Sequence, residues 1–345
     1  MKVRHMASLL LMLPLTVHGQ SIEGTSYTLP KNGMRFTIEV EKTQYTPGRY
    51  APYALRYMKE NVPQQASTAY RIVSINMDAT AMPDTAKAFV LTTDKKHSID
   101  KVTCSPNGQL LAINADALPY STPLRQFKAA PKPKALNPND YMTEDILSAG
   151  SEAKMAELSA KEIYDIRDSR NSLSRGEADN LPKDGAQLKL MYENMNRQEQ
   201  ALSQLFYGVT VKDTTLTQVE FMPTKEGRNV LFRFSKYYGL VAADDLSGTP
   251  YYITVTDLHT AVAPEVVDNK KEDKNDIGLR VSKPSKIKAV LSADGKTIDT
   301  YEMNAAQFGY TESLSGELFG KKQSSQIILD PLTGSVKSIK TIELK

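Results

Sequence analysis

The chain of 345 residues carries 43 basic and 40 acidic residues, and 40% of its residues are hydrophobic. This length and apolar content suffice for two hydrophobic cores. Because basic and acidic residues are nearly balanced, the chain lacks the excess of basic residues that indicates nucleic-acid binding. Cys104 is the only cysteine, which excludes an intrachain disulfide; we interpret it as a small buried hydrophobe between strands.

The N-terminal segment predicts a cleavable secretory signal at residues 1–19. Lys2 and Arg4 precede an apolar block at residues 7–15, and Gly19 ends the short segment before the expected cut. Removing the signal leaves 41 basic residues against 40 acidic ones. Because the apolar block is too short to span a bilayer stably, we expect an exported protein with no transmembrane segment after cleavage.

Residues 20–117 predict an N-terminal β domain. Phe36, Ile38 and Val40 alternate with polar residues, as in a half-buried strand. After the Pro47-Gly48 break, one or two helical turns are expected at residues 51–58. Further strands are predicted at 70–77, 86–93 and 101–105, and Asn107-Gly108 marks a tight hairpin turn that follows them.

Residues 118–140 predict a proline-rich linker or a strap that lies over the surface. This segment contains five prolines, which remove strand donors and favour extended conformers. It leads into the predicted helical segment.

Residues 141–208 predict a helical hairpin, and they include the only long stretch whose apolar residues recur at helical spacing. The first helix is expected to end near Arg175, before Gly176. Asp184 is placed to cap a second helix, which Gly208 ends. The hairpin could be a docking surface for another protein's helix or a lid over a site, although its apolar stripe is typical of ordinary core packing.

Residues 209–345 predict a C-terminal β domain. Alternating segments are separated by turn signals at Asp294-Gly295 and at residues 330–334. Strands on both sides of one helical hairpin predict an α+β, mainly β fold. In this fold, two antiparallel β-sandwich-like domains are joined through a central αα-hairpin.

Blocks along nearly the whole mature chain resemble the DUF4831 family of exported Bacteroidetes proteins of unknown function. The blocks are Tyr27-Thr-Leu-Pro-Lys31, Pro47-Gly-Arg-Tyr-Ala-Pro-Tyr-Ala54, Ile166-Arg-Asp-Ser-Arg170, Gly176-Glu-Ala-Asp-Asn180, Gln198-Glu199, Leu205-Phe-Tyr-Gly208 and Ala306-Gln-Phe-Gly309. The Pro-Gly-x-Tyr-Ala and Leu-Phe-x-Gly blocks are the more specific ones. Where a Tyr-Arg-x-Pro block is expected, this chain has Arg280-Val-Ser-Lys-Pro284.

The resemblance implies a location in the periplasm, or peripheral association with the outer membrane, in a Gram-negative organism. It implies no activity and no catalytic residue.

Patterns that would carry catalysis are incomplete. His97 and His259 are the only histidines after signal cleavage, and Asp257 near His259 does not by itself make a Ser-His-Asp triad. Asp244-Asp245 predicts turn chemistry before Ser247, although two distant acids could still meet in a cleft and hydrolyse a glycan.

Metal and phosphate patterns are also incomplete, and we predict no cofactor. The segment 273–278 departs from a calcium loop because Ile277 occupies a ligand position. The glycines of 316–322 are one residue too close together for a phosphate-binding loop, so this segment predicts a turn.

Tyrosine is the one enriched candidate for contacts, with 17 residues and no tryptophan. Its rigid apolar ring and polar tip suit protein or glycan contacts. The candidate contact residues are Tyr50, Tyr53, Tyr237, Tyr238, Tyr251 and Tyr252.

The sequence therefore favours a non-enzymatic envelope interaction or scaffold protein whose partners are other envelope proteins. A periplasmic glycan- or peptide-acting hydrolase and a small-ligand or glycan-binding module are the alternatives. A deep cleft with two facing acids would favour the hydrolase, and a closed pocket with few polar groups would favour the binding module.

Overall fold

A computed structural model describes residues 24–92, 96–123, 125, 135–178, 184–264, 275–320 and 323–343. The predicted signal at residues 1–19 lies outside these residues, as does much of the predicted linker.

The fold is α+β and mainly β, as predicted. Three sheets with antiparallel pairing contain strands β1 to β12, in the orders β2-β1-β5, β10-β9-β8-β6-β7 and β12-β11-β4-β3. The strands are β1 (Gly24–Thr46), β2 (Ser67–Thr92), β3 (Val102–Cys104), β4 (Leu110–Ile113), β5 (Val209–Phe221), β6 (Gly227–Ser235), β7 (Gly239–Val241), β8 (Thr249–Asp257), β9 (Asp276–Ala293), β10 (Lys296–Ser315), β11 (Gln323–Leu329) and β12 (Val336–Glu343).

A long antiparallel ribbon of β1 and β2 lies at the centre of the molecule. The predicted strand at 70–77 and the described part of the one predicted at 86–93 belong to the single strand β2, because residues 78–83 between them also pair with β1; residue 93 lies outside the described residues. Register shifts near Pro30 and Val40 interrupt this pairing locally. Strand β5 covers the other edge of β1, from the Met34–Phe221 pair to the Thr46–Val209 pair.

Two cores lie along β1. The first contains Phe36 and Ile38 of β1, Ile253 of β8 and Leu291 of β9, so it joins the three-stranded and five-stranded sheets. The second contains Leu29 of β1 with residues of β4, β9 and β11. Each core excludes apolar surface of several strands from water, which is the main stabilising contribution to such a fold.

Strands from the predicted N-terminal segment (20–117) and C-terminal segment (209–345) share sheets and cores. Strand β5 pairs with β1, and β11 pairs with β4 through Ile327–Ile113. The two segments therefore do not each form a separate sheet system. The sequence indicated the cores of several strands, but it carried no signal for pairing between strands more than 160 residues apart.

The helices form a third layer at the Thr46 end of β1. They comprise the short α1 (Ala54–Tyr57), which follows a 3-10 turn at Ala51–Tyr53, the short α2 (Glu144–Leu147), and the two long helices α3 (Glu152–Arg175) and α4 (Gly185–Tyr207). A third core, including Ile163, Leu202 and Phe206, lies between them.

The predicted helix ends are confirmed. The side chain of Ser151 accepts from the backbone N–H of Lys154 at the start of α3, and that of Asp184 accepts from Gln187 at the start of α4. Gly176 takes the left-handed conformation after α3, with φ of 73°.

Helices α3 and α4 run antiparallel, as predicted for an αα-hairpin. Glu199 of α4 accepts from Arg167 at 2.6 Å and from Arg170 at 2.5 Å, while Arg170 also donates to Asn196, earlier in α4. As the residue number increases along α3, the number of the contacted residue on α4 decreases, which is the pattern of antiparallel helices.

Candidate ligand-binding site

The six candidate tyrosines fall into two groups. Tyr50 is fully buried in the helical core, with its ring centroid 5.6 Å from that of Phe206, so it is not part of an accessible surface. Tyr53 packs, half-buried, against the same core. The other four tyrosines lie on β8 or on the turn between β6 and β7.

Tyr237 and Tyr238 are the most exposed of the four, with 61% and 69% of their surface accessible. Tyr251 of β8 is half-buried and stacks on Phe232, with ring centroids 4.5 Å apart. Tyr252, the next residue along β8, points to the opposite face of the sheet and lies under the guanidinium of Arg228, 3.6 Å from its ring centroid.

Three turns meet beside Tyr237 and Tyr251 and enclose a cavity of about 340 Å³. They are the β6–β7 turn, the loop before β8 and the β9–β10 hairpin. The polar and aromatic lining includes Lys236, Tyr237, Ser247, Thr249, Tyr251 and Asp294. We call this cavity, with the neighbouring Tyr238, the tyrosine end of the five-stranded sheet.

The β6–β7 turn is held in place by contacts within the sheet and to β2. Ser235 is buried, and its hydroxyl accepts from the N–H of Tyr237 at 3.3 Å. The carbonyl of Lys236 accepts from the N–H of Tyr70 at 2.8 Å, and Gly239 lies against the ring of Tyr70. The exposed tyrosines are therefore presented from a fixed backbone, which lowers the entropy lost on binding.

The other two turns are also defined by specific residues. Arg233 donates to the carbonyls of Ala243 and Gly248 at 2.7 and 3.0 Å, which pins the loop before β8. Asp294 and Gly295 have φ of 49° and 73°, the left-handed pair that a tight hairpin turn requires. This confirms the hairpin predicted at Asp294-Gly295.

Two opposite charges of the cavity have no ionic partner within the described ranges. Among the described residues, the carboxylate of Asp294 accepts no hydrogen bond, and the ammonium of Lys236 forms no salt bridge but lies 4.9 Å from the ring centroid of Tyr237. Burial raises the pKa of the Tyr251 phenol, and the charge of Asp294 raises it further. Tyr251 is therefore a neutral hydrogen-bonding group at physiological pH.

The histidine candidate does not form a triad. Asp257 lies between the two other groups: it accepts from the Ser285 hydroxyl at 2.6 Å and lies 3.2 Å from Nδ1 of His259. In a catalytic triad the histidine lies between serine and aspartate, so His259 is not placed to take a proton from Ser285. Although burial opposes it, hydrogen bonds from Ser285 and the His259 N–H hold the pKa of Asp257 below its usual value.

The carboxylates that the sequence singled out serve turns and ion pairs. Asp245 accepts from the N–H of Ser247 at 2.9 Å, which confirms the predicted turn chemistry. Asp276 accepts two hydrogen bonds from Arg280 and one from the N–H of Gly278. Within the described ranges, no group of three histidine, cysteine or carboxylate residues is placed to hold a metal ion.

The remaining predictions concern Cys104 and the 316–320 turn. Cys104 lies in β3, is only half-buried and packs against the second core, where burial raises the pKa of its thiol. Residues Gly316–Phe319 form a 3-10 turn capped by Ser315, as the glycine spacing predicted.

The two more specific family blocks meet where the helical layer joins the sheet. The carbonyl of Leu205 accepts from the N–H of Tyr50 at 2.6 Å. A Cβ on Gly48 would lie 2.2 Å from that carbonyl oxygen, and a Cβ on Gly208 would lie 2.2 Å from the carbonyl oxygen of Thr46. Both glycines are thus required by close backbone contact.

Two other blocks supply buried polar contacts between strands. The side chain of Asn32, next to the first block, accepts from the N–H of Ala306 and donates to the carbonyl of Leu332. Gln307 accepts from the N–H of Asn32 and donates to its carbonyl. The Tyr27 hydroxyl donates to the carbonyl of Gly278 in β9. These block residues hold the fold together and do not line the tyrosine end.

Fold and site together define a mainly β α+β protein with a three-turn aromatic cavity at one end of its largest sheet. Residues 23–337 match the family described as "Domain of unknown function (DUF4831)", and the chain belongs to this family. No curated protein and no solved structure matches the chain. In the part of the chain that the structure covers, no helix combines the length and apolarity needed to cross a membrane.

Sequence reasoning named Tyr237 and Tyr251 from residue type alone and missed Lys236 and Asp294 as cavity residues. Asp294 was interpreted only as a turn residue. It lies 43 residues beyond Tyr251, and the antiparallel pairing of Tyr251 with Ala293 brings the two together. No local pattern encodes that pairing.

Proposed function

We propose that this protein is a non-enzymatic interaction protein of the cell envelope and that the tyrosine end is its contact surface. The observation that carries the proposal is the pair of exposed rings, Tyr237 and Tyr238, on a turn fixed by Ser235 and Tyr70. Tyrosine is enriched among residues that dominate binding energy, because it offers a large rigid contact area with a polar tip.

A role without bond-breaking chemistry is supported by how the polar groups are used. Asp257, Asp276 and Glu199 are engaged by hydrogen bonds or ion pairs that stabilise loops, strands and helices. The residues of the family blocks at Gly48, Gly208 and Gln307 likewise serve backbone contacts.

The hydrolase alternative has less support. Among the cavities that described residues line, one includes Asp116 in its lining, one includes Asp294, and one includes no carboxylate. Hydrolysis of a glycosidic bond requires two carboxyl groups held across the bond, roughly 5 to 10 Å apart.

The proposed envelope location is supported by the N-terminal pattern of Lys2, Arg4 and the apolar block at 7–15. We propose that the mature protein begins at Gln20 and is periplasmic or peripherally associated with the outer membrane. Its proposed partners are other components of the envelope.

The proposal is tested by site-specific photocrosslinking in intact cells that export the full chain. p-Benzoylphenylalanine replaces Tyr238 in one strain and Leu190, an exposed residue of α4, in a control strain. We expect a discrete envelope adduct from position 238 and none from position 190. Equal adducts from both positions, or none from position 238, would contradict a contact role for the tyrosine end.

A further inference from the structure

The cavity of the tyrosine end combines one exposed aromatic ring with two unlike charges. Tyr237 is one of the lining residues, and Lys236 and Asp294, which carry opposite charges, also line the cavity. The hydroxyl-bearing residues Ser247 and Thr249 lie on the loop side. A volume of about 340 Å³ is at the small end of the range for ligand pockets, roughly 300 to 1,000 Å³.

This combination discriminates between ligand classes. An anionic ligand in contact with the whole lining would face the carboxylate of Asp294, and a cationic ligand would face the ammonium of Lys236. Like charges brought together at short range weaken binding. A purely apolar ligand would leave both charged groups desolvated without partners, which is more costly still.

A neutral ligand with many hydroxyl groups meets all of these constraints. Each hydroxyl can accept from the ammonium of Lys236 and donate to the carboxylate of Asp294. A pyranose ring also has a face of C–H groups, which pack on the electron-rich face of an aromatic ring such as that of Tyr237. The neutral phenol of Tyr251 adds a further donor and acceptor.

We infer that the cavity lined by Lys236, Tyr237, Tyr251 and Asp294 binds a neutral sugar unit of an envelope glycan. The inference rests on the proposed contact role of the tyrosine end and assigns that contact a ligand class. Open on one side to solvent, the cavity takes one sugar unit while the rest of a chain extends past Tyr238.

The chain offers closely matched variants to test this inference. Tyr237→Ala removes the ring that lines the cavity, whereas Tyr164→Ala removes an exposed tyrosine of α3, outside the tyrosine end. Asp294→Asn removes the charge but keeps the hairpin, because asparagine tolerates the positive φ of 49° at this position.

The experiment titrates the mature chain with cellobiose, with N,N′-diacetylchitobiose and with a glucuronate-containing disaccharide, and follows backbone amide NMR signals. We expect at least one neutral disaccharide to shift the signals of residues 235–238, 247–249 and 294, and the glucuronate probe to bind more weakly. Tyr237→Ala should weaken binding at least about tenfold, as for a dominant aromatic contact. Asp294→Asn should weaken it about three- to tenfold, and the control Tyr164→Ala less than about twofold.

Several results would overturn the inference. They are the absence of shifts with both neutral disaccharides, tighter binding of the glucuronate probe, or equal loss of binding in Tyr237→Ala and Tyr164→Ala. Unchanged spectra outside the site show that each variant is folded. If position 238 still crosslinks to an envelope protein while no sugar binds, the proposed interaction role stands and the sugar assignment falls.

Discussion

At the scale of single residues, buried polar side chains specify how distant strands meet. Asn32 is fully buried. Its side chain forms hydrogen bonds with the backbone of Ala306 and of Leu332, and its N–H donates to the side chain of Gln307. A buried amide costs free energy unless it is hydrogen-bonded, and the same cost disfavours any other arrangement of these strands. Asn32 therefore specifies the placement of β10 and of the β11–β12 turn against β1.

Asn32→Ala should destabilise the protein by about 2 to 4 kcal/mol, because it leaves the N–H of Ala306 and the carbonyl of Leu332 buried without their partner. Urea unfolding followed by circular dichroism measures the change. Asn304→Ala, at an exposed position of β10, is the control and should cost less than about 0.5 kcal/mol. Equal losses in the two variants would contradict the role assigned to Asn32.

At the scale of elements, the junction between the helices and the sheet depends on close backbone contact. Helix α4 ends at Tyr207, and Gly208 turns the chain with φ of 74° and ψ of −168° directly into β5. The N–H of Gly208 donates to the carbonyl of Gln204, while Gly48 lies against the last turn of α4. Gly208 alone separates the helix from the strand, so the helical layer is attached rigidly at this end.

Gly208→Ala should cost more than about 2 kcal/mol, since its backbone conformation is one that only glycine adopts readily and the new Cβ would clash with the Thr46 carbonyl. Gly176→Ala is the matched control. Gly176 also has positive φ, but nothing lies within 4 Å of its Cβ position, so its loss should be about 1 kcal/mol.

Thermal and urea unfolding of both variants measure the difference. A loss in Gly208→Ala no larger than that in Gly176→Ala would contradict the close backbone contact assigned to this junction.

The helical elements were the most predictable part of the chain. Ser151, Gly176, Asp184 and Gly208 act within one turn of their own helix, so local sequence contains the whole signal. Strand β2 was harder, because residues 78–83 lack alternation and are held extended by pairing with β1. In this part of β2, pairing with β1 outweighs the weak local preference of the residues for a strand.

At the scale of the whole molecule, strands from both ends of the chain form common layers. Strand β1 pairs with β5, and β4 pairs with β11, so neither β segment can complete a core alone. The candidate site shows the same dependence on distant pairing. Its tyrosines were recognisable from residue type, whereas the unpaired Lys236 and Asp294 became cavity residues only through the assembled sheet.

Fragments 20–117 and 209–345, expressed separately, should lack the cooperative unfolding transition of the mature chain 20–345. Each fragment would expose the apolar face that the other covers in the first core. Circular dichroism and amide proton dispersion provide the measurement. A sharp thermal transition in either isolated fragment would show that the segment folds independently.

Strand β1, with its 23 residues, extends roughly 75 Å and runs from the second core through the first to the base of the helices. It is bonded on one side to β2 and, over much of its length, on the other side to β5. Tension along this strand acts in shear on the hydrogen bonds of both strand pairings at the same time, so these bonds must break together. The molecule is therefore stiff along the axis of β1. A force applied at the helices is transmitted along β1 to the second core with little extension of the strand.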